Sequence, residues 1–101
     1  MFWLLEYDLA DDYLERRGRL RAVHLALARD ARDAGDLVLA GALSNPADRA
    51  LLVFQGADGS AAERFAESDP YVTEGLVTAW RVRPWTVVIG TDLAAIEPPS
   101  V

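Results

Sequence analysis

The chain has 101 residues, enough for one hydrophobic core but not two, and its 51% apolar and 26% charged residues are the balance of a folded domain. A net charge of −6 argues against a phosphate-backbone partner, so no nucleic-acid binding is expected. The ten basic residues are all arginine and there is no cysteine, which excludes lysine Schiff-base chemistry, disulfides and thiolate nucleophiles.

The opening MFWLLEYDLADD has no basic region and turns acidic after one short apolar run. No stretch approaches the ~18 apolar residues of a membrane span, so the expectation is a cytoplasmic protein without a membrane segment. FWLLEYDL (2–9) reads as a strand with Trp3, Leu5, Tyr7 and Leu9 on one face. A long helix follows from about Asp12 to Gly35, with Asp11 and Asp12 suiting its N-terminus and Gly35 its end. DLVLAGAL (36–43) and RALLVFQG (49–56) read as strands two and three, joined by the SNPAD turn. Ser60 and Glu63 form an S-x-x-E capping box that opens a helix through about Ser68, and ESDPYVTEG adds one more helical turn. LVTAWRVRPWTVVIG (76–90) reads as the fourth strand, extended past Pro84. The domain is expected over residues 1–91, with 92–101 as a C-terminal tail ending in a Pro-Pro segment.

This order, β-α-β-β-α-β, is the ferredoxin-like α+β arrangement: an antiparallel sheet with two helices on one face. The strands are apolar on both faces; in LLVF, residues 51 and 53 point one way, 52 and 54 the other, and all four are hydrophobic. Two helices cover one side only. The other is expected to be covered by a second copy, giving a homodimer packed sheet to sheet with a cavity between sheet and helices in each subunit.

The single histidine falls within RLRAVHLALARD (19–30). Tyr13, Arg17, Leu20, His24, Leu27 and Ala31 recur at helical spacing, so His24 lies on or beside the core-facing stripe. Two readings are open: a core histidine bonded to a backbone carbonyl, or an imidazole held by a carboxylate. Asp69, in SDPY, is the second candidate. Aspartate caps helices well and Pro70 suits the first helical position, so capping alone accounts for the dipeptide, although a capping carboxylate is also rigid enough for chemistry. The Arg16-Arg17-Gly18-Arg19-Leu20-Arg21 run sits among acidic residues and reads mainly as a solvated helix face, with an arginine turned inward toward a substrate anion as the functional alternative. One histidine without cysteine offers no metal-ligand cluster, none of the four serines lies in a G-x-S-x-G elbow, and GADGS has the wrong spacing for a phosphate loop.

LERRGRLRAVHLALARDARDAGDLVLAGAL (14–43) and ESDPYVTEGLVTAWRVRPW (67–85) resemble the YCII-related family. The likeness lies in spaced arginines, a His-Leu, a Gly-terminated helix, a strand ending in Gly, then Asp-Pro-Tyr, a downstream Gly, a strand and a closing Pro-aromatic. It spans roughly residues 1 to 90. The resemblance implies a dimeric α+β barrel, related in fold to muconolactone isomerase, without a cofactor. It also implies a histidine–aspartate pair, His24 and Asp69 here, with Arg21 and Tyr71 at matching positions. Arg17 joins these two as a substrate contact on the helix. Two departures change a pocket rim: Gly41-Ala42-Leu43 in place of a Gly-Pro, and the compact SNPAD turn in place of a longer Gly-rich loop.

The function expected from this pair is cofactor-independent acid/base chemistry on a small ring compound, by elimination (dehydrochlorination, as some members resemble dehydrochlorinases of chlorinated hydroxyquinols) or isomerisation. The alternatives are a non-catalytic homodimer binding a small molecule or partner, and a cofactor-free monooxygenase on the same barrel.

Overall fold

A computed structural model describes residues 1–90 of the chain; the expected tail at 92–101 lies outside them. The elements run β1 (Phe2–Leu9), α1 (Tyr13–Asp33), β2 (Leu37–Ala42), β3 (Arg49–Gln55), α2 (Ser60–Ser68), α3 (Pro70–Thr73) and β4 (Val77–Trp85). The four strands form one sheet in the order β2-β3-β1-β4, with every neighbouring pair antiparallel, which is the ferredoxin-like α+β topology. No helix among the described residues is long and apolar enough to cross a membrane.

The period of two along β1 sets the core. Leu5, Tyr7 and Leu9 are buried on the helix side, opposite Leu52 and Ala50 of β3 and beside Trp80 and Val82 of β4. Phe65, Ala62 and Ala66 of α2, and Tyr13 and Leu20 of α1, close over them. At the end of α1, Gly35 takes φ +86°, and the N–H groups of Gly35 and Asp36 return to the carbonyls of Arg32 and Ala31. The left-handed turn there satisfies the last helical carbonyls, as the glycine implies.

Three local expectations are corrected. β4 ends at Trp85 rather than Gly90, because Trp85 already pairs with Phe2, the first residue of β1, and no strand remains beyond it to complete a ladder. The capping box does not form: Asp58 accepts the Ser60 N–H at 2.9 Å, and Gly59 occupies the cap position. A carboxylate two residues upstream displaces the serine from its capping role. The helix-free face is also less uniformly apolar than expected. Phe2, Leu4, Leu51 and Val53 lie on it, but its β4 positions include Arg81 and Arg83. Toward one end, Arg81 pairs with Asp8 and Glu6, and Arg49 with Asp8. Arg81 holds the Asp8 carboxyl below its usual range.

Candidate active site

Asp69 ends α2 and starts α3, and it is the one buried charged residue among those described, at 0% exposure. Its backbone is extended, Pro70 occupies the first turn of α3, and its Oδ1 accepts the Tyr71 N–H at 3.0 Å. The capping expectation therefore holds. The same carboxylate also takes His24: Nδ1 lies 2.9 Å from Oδ1 and 3.0 Å from Oδ2. Capping and pairing coexist.

A third group completes the arrangement. The Tyr7 hydroxyl donates to Asp69 Oδ2 at 2.8 Å from the middle of β1. Burial first, then the charge of Asp69 and the hydrogen bond to it, push the Tyr7 hydroxyl far above the ordinary tyrosine range. Tyr7 O–H and Tyr71 N–H can only donate in this geometry, which suits a carboxylate, whose oxygens only accept. Nδ1 of His24 then carries the hydrogen directed at Asp69, leaving Nε2 as the ring's remaining site for proton transfer. Charge-assisted hydrogen bonds from several donors offset the cost of burying a carboxylate.

The imidazole plane is fixed by aromatic neighbours. Tyr71 stacks on it with centroids 3.9 Å apart and planes 7° from parallel, while Phe65 meets it edge-on at 6.2 Å. Tyr13 in turn meets Tyr71 edge-on at 5.7 Å. The His24 side chain retains 16% exposure and lines a cavity of about 420 Å³ between α1 and β2. Leu37, Ala40 and Leu52 supply apolar wall; Arg17, Arg21, Arg29 and Arg32 supply positive charge from α1. The Tyr71 hydroxyl is buried without a hydrogen-bond partner. Burial and the neighbouring Tyr13 raise its pKa; Arg21 and Arg17 act in the opposite direction, close enough to be felt although no hydrogen bond is completed.

All five residues singled out in the sequence thus meet at one place: His24 and Asp69 in direct contact, with Arg17, Arg21 and Tyr71 lining the same cavity. Tyr7 was missed. Its signal was present, since a tyrosine on the buried face of a strand needs a partner for its hydroxyl, but that partner is 62 positions away. Arg29 and Arg32 were also missed as cavity residues. Among the described residues, no three His, Asp or Glu side chains converge to hold a metal ion.

Comparison with solved structures finds a similar fold in the 5-chloro-2-hydroxyhydroquinone dehydrochlorinase (TftG) from Burkholderia phenoliruptrix AC1100, determined in complex with 2,5-dihydroxybenzoquinone. The TM-score is 0.70 at 20% sequence identity, over 85% of this chain and 94% of that one. A search of curated proteins finds no match. The sequence profile of the YCII-related domain matches residues 1–86, and with the ferredoxin-like sheet it places this chain in the YCII-related family.

Proposed function

We propose that the cavity is an active site in which His24 acts as general base and acid on a small hydroxylated ring compound, with Asp69 as its fixed partner. The observation that carries this reading is the doubly held carboxylate: Asp69 bonds to Nδ1 and is itself positioned by Tyr7 and by the start of α3. An imidazole so held keeps one tautomer, and its imidazolium is stabilised as a proton arrives at Nε2. Arg21 supports negative charge developing on a ring oxygen, Arg17 adds to the positive field, and Tyr71 contributes the stacked wall and its unpartnered hydroxyl.

Elimination of hydrogen halide is the reaction favoured. A ring hydroxyl gives its proton to His24 Nε2, which returns it to the halogen-bearing carbon to form the keto tautomer; a second hydroxyl proton then passes to Nε2 as the halide leaves with the electron pair of its bond to carbon, and the ring departs as a quinone. This balance needs no cofactor or oxidant. The fold-level likeness to a dehydrochlorinase supports the direction and does not decide the substrate.

The assay is chloride release from chlorinated hydroxyhydroquinones by the parent protein, His24→Gln and Asp69→Asn. Turnover by the parent, with a loss of about a hundredfold or more in His24→Gln and an unchanged fold, is the expected result. A His24→Gln protein that keeps full turnover, or a parent that binds these rings without converting them, refutes catalysis; the second outcome leaves a binding module.

We further propose that the domain extends to about residue 91 and works as a homodimer through the helix-free sheet face. Leu39 and Trp85 are exposed there at 55% and 47%, beside Phe2, Leu4 and Leu51, and the mixed signs of Glu6, Asp8, Arg49 and Arg81 allow two copies to pair across a two-fold axis. Sedimentation should give twice the chain mass, and Leu51→Glu should halve it; a monomeric parent ends the idea.

A further inference from the structure

The charge inside the cavity runs against the charge of the chain. The protein carries a net −6, yet four arginines and His24 line this cavity and no aspartate or glutamate does. Local neutralisation distinguishes the arginines of α1. Arg16 pairs with Asp12 at 3.2 Å and Arg19 with Glu74 at 3.7 Å, both away from the cavity. Of the four arginines that line the cavity, Arg32 pairs with Asp33 at 3.0 Å, whereas among the described residues Arg17, Arg21 and Arg29 have no carboxylate, and Arg17 and Arg21 stand one helical turn apart. Like charges at that spacing repel, a cost that a bound anion relieves. Arg17 instead lies over the Tyr13 ring, with its guanidinium carbon 5.6 Å from the centroid, which orders the side chain at the cavity wall. The buried, unpartnered Tyr71 hydroxyl at the same wall is a second polar group awaiting a ligand.

We infer that the ligand is a hydroxylated ring that also carries a carboxylate: Arg17 reads the permanent acid with its planar fork, beside the ring oxygen served by Arg21. This rests on the proposed ring-binding function and goes beyond it by assigning the substrate a second, non-reacting anionic group. A neutral ring uses the apolar wall of β2 and β3 but leaves Arg17 unsatisfied. An aliphatic acid satisfies Arg17 and leaves the wall empty.

Two unreactive probes separate these contributions. 2,5-Dihydroxybenzoate and hydroquinone share a ring and two hydroxyls and differ by the carboxylate; binding is read by isothermal titration calorimetry. The benzoate should bind about tenfold or more tightly, as expected for a hydrogen bond between charged groups. Added salt should shrink the preference. Arg17→Gln should abolish it, with hydroquinone affinity falling far less than benzoate affinity. Arg17→Lys, which keeps the charge and stem, should retain part of it, so a folding defect in the glutamine variant does not decide the outcome. Arg64→Gln, which removes a charge from α2 outside the cavity, should leave the preference intact. Equal affinities, no binding of either probe, a preference that survives Arg17→Gln, or an equal loss in Arg64→Gln overturns the inference. His24→Gln should keep the preference while losing turnover, so failure of the catalytic reading and failure of the carboxylate reading give different results.

Discussion

Tyr7→Phe removes a single oxygen from the most enclosed part of the site. The ring stays, so the packing of Tyr7 against the core is preserved and no sizeable cavity opens. The loss is the 2.8 Å hydrogen bond to Asp69, in a place where Tyr7 is 1% exposed and Asp69 is 0% exposed, so water does not readily replace it. Hydrogen bonds to charged groups contribute about 1.5–3 kcal/mol, and that is the destabilisation expected at neutral pH from urea unfolding. The pH dependence is a sharper test. The folded-state pKa of Tyr7 is raised, so the hydroxyl keeps its proton in the native protein after an unfolded tyrosine would lose it near pH ~10. This contribution is fully present below that unfolded value and is lost as pH rises above it toward the folded one, at about 1.4 kcal/mol per pH unit for one proton. Tyr71 shifts in the same direction and adds its own loss. Tyr7→Phe should therefore flatten the alkaline fall by about one proton's slope. A variant as stable as the parent at pH 7, with the same slope above pH 10, would refute the account of Tyr7 as the carboxylate's buried donor. In turnover, kcat should fall more than KM rises, because the lost hydroxyl bonds Asp69 while the Tyr7 ring that borders the cavity stays in place.

Asp69→Asn keeps the shape but turns an amide N–H₂ toward a neighbouring donor; it should cost about 3 kcal/mol by urea unfolding and lower chloride release about a hundredfold or more. Gly35→Ala should cost about 1 kcal/mol in thermal or urea unfolding for conformation alone, since φ is +86° and an added Cβ has nothing within 4 Å. Gly59→Ala tests packing instead: the new Cβ would lie 3.1 Å from the Trp3 ring and from a Val82 methyl, so a loss of about 1 kcal/mol and an altered tryptophan near-ultraviolet signal are expected.

The sheet and its helices were legible because periodicity carried them. Leu5, Tyr7 and Leu9 alternate as a half-buried strand must, and Tyr13, Leu20 and His24 follow one helical stripe. Asp69 was readable as a cap from Pro70 alone, but its partnership with His24 came from family resemblance, since the two residues are 45 positions apart and no local pattern links them. The end of β4 was unreadable for a related reason. TVV continues a strand-like composition past Trp85, but a strand persists only while a neighbour offers hydrogen bonds, and β1 supplies none beyond Phe2. At Ser60 the local signal was real and a stronger one lay two residues upstream in Asp58. The charge pattern on the outer sheet face depended on register, which places Arg81 beside Glu6 and Asp8 only after β1 and β4 have paired.

The two side chains that bond Asp69 reach it from distant parts of the chain. Tyr7 belongs to the first strand, His24 to the first helix, and Asp69 to the junction of the last two helices, so both side-chain bonds to the carboxylate are long-range. Such contacts close long loops, and the entropy lost in closing them is offset by the rest of the packing. A half-formed protein, with β1 and α1 in place but the second half still unfolded, holds an imidazole without its aspartate. The paired imidazole thus exists only where both halves of the chain have met, and the lone histidine reports on that meeting.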